Sequence, residues 1–148
     1  MPHWGMDDPF ALRRFLDAQA EMLPAVEAEL RAGRKSSHWM WFVFPQLRAL
    51  GRSGRALQFG ITGMAEARAY RMHAVLGPRL ATHAGLVLDH AGRATAHAIF
   101  GSPDDVKLRS SMTLFAAADP EEPVFAAVLG AFFGGEPDPL TTRLLDAG

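Results

Sequence analysis

One segment of this chain after another opens with a proline or a capping polar residue and closes with glycine. Between those marks the apolar residues recur with helical period. Asp8-Pro9 reads as an N-cap with proline at the first helical position, followed by Phe10, Phe15, Leu16, Leu23, Val26 and Leu30, with Gly33 as a stop. Pro24 is expected to kink that segment or split it. Ser36 or Ser37 can cap an aromatic segment ending at Pro45. Thr62 opens a helix that includes Tyr70 and His73, and Pro78 opens another ending before Gly92. Thr95 to Phe100 reads as a short helix closed by Gly101. Ser102-Pro103-Asp104-Asp105 is the clearest start signal: a capping serine, proline, then two acids where the helix dipole favours them. That helix should run to about Ala118. Pro123 to Phe133 is stopped by Gly134-Gly135, and Asp138-Pro139 starts the last helix. A buried strand over residues 38–44 is the rival reading, because Trp, Phe and Val favour strands, but it would have no partner strand. The expected architecture is all-α, a single irregular bundle of about seven or eight short helices, forming one domain over residues 1–148 with residues 1–7 as a flexible N-terminal tail.

The chain has no cysteine, which excludes disulfides and thiolate metal sites. No apolar run approaches the roughly 18 residues that span a bilayer, and the N-terminus lacks the basic start and apolar core of a secretory signal. A cytoplasmic protein with no membrane partner is expected. The formal charge of −1 argues against general nucleic-acid binding, yet it hides an uneven distribution. Residues 31–88 carry nine Arg/Lys and one acid, Glu66, a net +8, while residues 1–30 carry −4 and residues 89–148 carry −5. The cationic centre surrounds Trp39 and Trp41. Cations gathered around tryptophans point to a small anionic or nucleotide-like partner.

Within residues 38–48 the aromatic side chains can stack a base or pack a core. Phe42 and Phe44 are assigned to the core. Trp39 and Trp41, two apart, cannot share a helix face. Trp39 is the favoured ligand contact, because His38 and Lys35 are its neighbours. Arg34, Lys35 and His38 precede the segment and would lie at its positive end if it is a helix, where cations do not help folding and an anion would be held. Arg34 would clamp phosphate bidentately and Lys35 would act as a point charge; a solvated basic turn is the plain alternative. Gln46 is a further ligand-binding candidate, or a polar group at a helix end.

On the second motif the catalytic candidates are Asp104, Lys107 and Ser111, at i, i+3 and i+7, one polar stripe of a helix. Asp105 can pair with Arg109 at i+4, which leaves Asp104 as the carboxylate for general acid or base work. Simple helix-start chemistry and a wet helix face are the plain alternatives. Lys107 with Ser111 has the spacing of a Ser–Lys pair, although a helical serine more often bonds the carbonyl four residues back. His83, His90 and His97 are seven apart, but Gly92 and Thr95 interrupt any helix that would align them, so no metal is expected; no cofactor is implied either.

These motifs resemble a known family. Asp8-Pro9-Phe10 with Arg14-Phe15, Glu29-Leu30 with Gly33-Arg34-Lys35, and His38 through Gln46-Leu47 look like its first half. Leu76-Gly77-Pro78-Arg79-Leu80, Ile99-Phe100-Gly101-Ser102-Pro103-Asp104-Asp105, Lys107-Leu108 and Ser110-Ser111-Met112-Thr113-Leu114-Phe115 look like its second. This is the bacterial domain-of-unknown-function 1810 family, some of whose members are mislabelled calpastatin. The resemblance covers nearly the whole chain and implies an all-α, stand-alone protein; it supplies no activity. The chain departs from the family pattern at His97 and Ala98, where acids are usual, and at Phe59, where tyrosine is. Residues 76–115 are also faintly similar to part of the bacterial N-glycosidases that process ADP-ribose-type and riboflavin-pathway nucleotides, whose catalytic glutamate has no counterpart in residues 38–47.

The leading expectation is therefore a protein that binds a nucleotide or ADP-ribose-like anion and hydrolyses an N-glycosidic bond, with Arg34 and Lys35 on phosphate, His38 and Trp39 on the ring, and Asp104 as the carboxylate. The competing expectation is a non-catalytic module for an acidic peptide or a nucleic-acid end. The enzyme predicts a deep pocket of a few hundred Å³, the module a shallow cationic groove with Asp104 facing solvent. A purely structural reading needs the polar stripe to be self-satisfied and remote from the aromatic segment.

Overall fold

The computed structural model describes residues 8–148; the expected N-terminal tail, residues 1–7, lies outside them. Nine α-helices are present among the described residues: α1 Arg13–Ala32, α2 Met40–Val43, α3 Gly54–Phe59, α4 Met64–Met72, α5 Leu76–Leu88, α6 Ala96–Phe100, α7 Asp104–Ala118, α8 Pro123–Phe133 and α9 Pro139–Ala147. A 3-10 turn, Arg48–Leu50, lies between α2 and α3. The all-α expectation stands. There is no sheet among the described residues, only an isolated parallel bridge between Leu47 and Ile61, so the strand reading of residues 38–44 falls away.

Helix α7 is the hub. It packs against α8, α4, α6 and α9, while α5 packs against α8, α1 and α4. An aromatic chain links these layers: Phe15 of α1 meets Tyr70 of α4 edge-on at 5.0 Å, Tyr70 meets Phe115 of α7 at 5.4 Å, and Phe115 meets Phe125 of α8 at 6.0 Å. Such tilted pairs add about 0.5–1.5 kcal/mol each beyond the area they bury.

Several end signals operate as read. Gly33 closes α1 at φ 72° and Gly134 closes α8 at φ 63°, the left-handed conformation that glycine adopts without penalty. Thr95 and Asp138 cap α6 and α9 through their side chains. Four expectations need correction. Asp8 accepts from the N–H groups of Leu12 and Arg13, so the turn comes first and α1 starts at Arg13. Pro24 does not split α1, which runs unbroken through it. Phe15, Gln19, Val26 and Leu30 bury one face of that helix, and this burial outweighs the lost hydrogen bond on the exposed side. Ser102 does not cap α7; the N–H of Asp105 is taken by the Gly101 carbonyl instead. The aromatic segment is one helical turn, with no cap from Ser36 or Ser37. Helix α3, capped by Ser53, is absent from the expected layout, because Gly51, Ser53 and Gly54 there look like loop.

Candidate functional site

The two motifs meet. The Lys35 backbone N–H donates to the Ile99 carbonyl at 2.7 Å, which ties the loop after α1 to α6. The Lys35 ammonium then lies 2.7 Å from Asp104 Oδ2 at the start of α7 and donates to the Ser37 carbonyl at 2.6 Å. Its side chain is only 7% exposed. Lys107, one turn along α7, lies 3.7 Å from the other Asp104 oxygen. Its ammonium also sits 5.1 Å from the Trp41 ring centroid, and the Arg55 guanidinium from α3 is 5.4 Å from the same ring. An indole flanked by two cations is a recognised attractive arrangement.

Beside that ring is a narrow slot. Met40, Trp41, Phe44, Gln46, Phe59 and Lys107 are among its walls, and its interior room is about 10 Å³, one water-sized sphere. It is neither the deep pocket expected of an enzyme nor a groove with Asp104 free in solvent. The polar stripe is partly self-satisfied, as the structural reading requires, but it is not remote from the aromatic segment.

The two tryptophans differ in burial. Trp39 is fully buried, packed near Phe44 and edge-on to Phe100. Its Nε1–H donates to Glu29 Oε1 at 3.0 Å. Trp41 is the partly exposed one. Sequence adjacency favoured Trp39, but its partner is a carboxylate on α1 that no local spacing reveals. Glu29 also accepts from the Ser36 and Ser37 N–H groups at 2.7 and 2.8 Å and from Ser37 Oγ at 2.6 Å. Burial alone would raise its pKa; the hydrogen bonds from Ser37, Ser36 and Trp39 more than reverse this and hold it at about 2. Glu29 thus shapes the whole 35–39 loop.

The remaining candidates fall in three groups. Arg34 and His38 are exposed and form no side-chain hydrogen bond or ion pair among the described residues. Gln46 lines the slot, and its backbone carbonyl accepts from Ile61. Ser111 is fully buried, its hydroxyl without a partner among the described residues, so the stripe runs from the wet rim at Asp104 into the core. Asp105 does not pair with Arg109. It approaches His97 at 3.3 Å, while Arg109 reaches the Glu136 and Pro137 carbonyls. Asp104 is nonetheless committed, because Lys35 arrives from the other motif. His83, His90 and His97 have separate surroundings: Glu27, the Leu30 carbonyl and Asp105. Among the described residues no group of three or more His, Asp or Glu is placed to hold a metal, and no helix is long and apolar enough to cross a membrane. Sequence reading missed Arg55 and Glu29; Glu29 is visible only as part of the family pattern.

A family model described as a protein of unknown function, DUF1810, matches residues 9–145. The chain belongs to this family. Among solved structures it is similar to the conserved hypothetical protein Rv1873 from Mycobacterium tuberculosis, at 53% identity and a TM-score of 0.91, over 94% of this chain and 99% of that one. Comparison with curated proteins found no match.

Proposed function

We propose that this family member binds a small anion bearing a flat ring, of nucleotide or ADP-ribose type, on the face formed by Trp41, Lys107, Arg55 and Gln46. The observation that carries the reading is the pair of cations on one partly exposed indole. The indole offers a stacking surface and the cations offer charge. Both cationic side chains are long enough to swing from the ring to a phosphate. Arg34 and His38, unengaged on the neighbouring loop, extend the positive surface. Lys35 acts indirectly: it is spent on Asp104 and Ser37, and holds the two motifs together.

Hydrolysis of an N-glycosidic bond is the further step of this reading, with Asp104 as the carboxylate at the rim and Lys107 beside it. Binding has the stronger support, because both Asp104 oxygens already face ammonium groups and Ser111 is out of a ligand's reach in the core. The narrowness of the slot favours the second reading, a module that recognises an acidic peptide or a nucleic-acid end without turnover. Calorimetry with ADP-ribose and simple nucleotides tests the proposal. Saturable binding that weakens in Lys107→Met and Arg55→Ala is expected; no heat at millimolar ligand ends the nucleotide reading. Turnover by the wild type, lost in Asp104→Asn with binding kept, would add the enzyme.

A further inference from the structure

The Trp41 indole N–H is buried and has no hydrogen-bond acceptor among the described residues, an uncommon state for a buried donor. Trp39, two residues earlier, has its N–H satisfied by Glu29, so the difference is local. Trp41 forms part of the slot wall, and the slot has room for a single water-sized atom. Two more residues with side-chain donors, Lys107 and Gln46, line the slot, while no Asp or Glu does. The rest, Met40, Phe44, Ala56, Phe59 and Gly60, carries no polar side chain and strengthens any charge-assisted hydrogen bond made inside.

We infer that the slot is a subsite for one oxygen of a phosphate group, received by Trp41 Nε1–H, Lys107 and the Gln46 amide, with the remaining oxygens facing Arg55 at the mouth. Charge selects phosphate over a single carboxylate. Lys107 in the slot wall and Arg55 on the Trp41 ring carry two positive charges, and Asp104 is neutralised by Lys35, leaving +2. That complements the charge of about −1.5 to −2 on a phosphate monoester. The inference rests on the reading that this face binds an anion, and it names the anion's head.

The test is titration of the full chain with inorganic phosphate, followed by NMR of the tryptophan indole N–H resonances, with Trp41→Phe assigning the Trp41 signal. The expected result is a saturable shift of the Trp41 resonance and none of Trp39, with an apparent Kd raised about tenfold or more in Lys107→Met, the loss of one charge-assisted contact. Gln46→Leu should weaken phosphate less, since its amide is neutral. The subsite is overturned if phosphate leaves the Trp41 resonance unmoved, or if Lys107→Met titrates like the wild type. The broader proposal fails separately: phosphate shifting Trp41 while ADP-ribose and nucleotides bind no more tightly than phosphate keeps the subsite and removes the ring ligand. ADP-ribose binding equally well to wild type and Trp41→Phe does the reverse.

Discussion

Lys35 and Asp104, far apart in the chain, form an ion pair of 2.7 Å that joins the loop after α1 to the first turn of α7. The pair is mostly shielded, with side chains 7% and 20% exposed, and Lys35 also covers the Trp39 ring at 5.1 Å. Lys35→Met should therefore cost about 1–3 kcal/mol, between the values typical of exposed and buried pairs. Urea unfolding of Lys35→Met, Asp104→Asn and the double variant measures it. Strict additivity of the two single losses would mean that the pair does not couple the motifs.

The two tryptophans should separate cleanly. Trp39→Ala removes a fully buried indole and should cost about 3–5 kcal/mol, whereas Trp41→Phe, at the rim, should change stability by less than about 1 kcal/mol. Ligand affinity should follow the opposite order. Equal loss of stability in both variants would contradict the assignment of one to the core and the other to the site.

Ser111→Ala should be neutral or slightly stabilising in thermal unfolding. It deletes a buried hydroxyl that has no partner among the described residues, and an unsatisfied polar group costs about 1–3 kcal/mol. Any turnover found should survive it. A large loss of turnover at unchanged stability would return Ser111 to a chemical role.

Glu29 predicts an acid limit. Its folded-state pKa of about 2 lies below the ordinary 4.5, so its contribution is fully present above pH 4.5 and is lost as pH falls through about 2. The stability gap between wild type and Glu29→Gln should be constant at neutral pH and shrink between pH 4.5 and 2. Urea midpoints across that window check it, and a gap that stays level would show that Glu29 is not held ionised by Ser37, Ser36 and Trp39.

His83 should act in the opposite pH direction from a stabilising histidine. It is buried on α5 facing α1, with neither ring nitrogen hydrogen-bonded among the described residues. Burial lowers its pKa below the ordinary 6.5, and Glu27 at 3.8 Å only partly offsets this. The unfolded chain then takes up the proton first. His83 costs nothing above pH 6.5, and stability falls as pH drops below it toward the folded value. His83→Leu should flatten that part of the profile; a Tm profile parallel to the wild type's would disprove it.

Much of the helical layout was legible because its causes are local. Thr95, Asp138, Gly33 and Gly134 act on their own turns, and a single sequence displays such signals. Where the outcome depended on a distant partner, local rules failed. Pro24 is expected to kink or split α1 because its cost is local, while the benefit, burial of one α1 face, comes from the surrounding core. The acids at the start of α7 were correctly placed, but which one is engaged was decided by Lys35, not by the i+4 arginine.

By itself, then, the sequence determined an all-α chain, several of its helix ends, the family and the two motif segments. Only the tertiary structure decided that those segments touch, that Trp41 rather than Trp39 stands at the rim, and that Arg55 joins Lys107 there. The reason is physical. Periodicity and capping act within a few residues, whereas burial and charge pairing depend on which surfaces α1, α3 and α7 bring together.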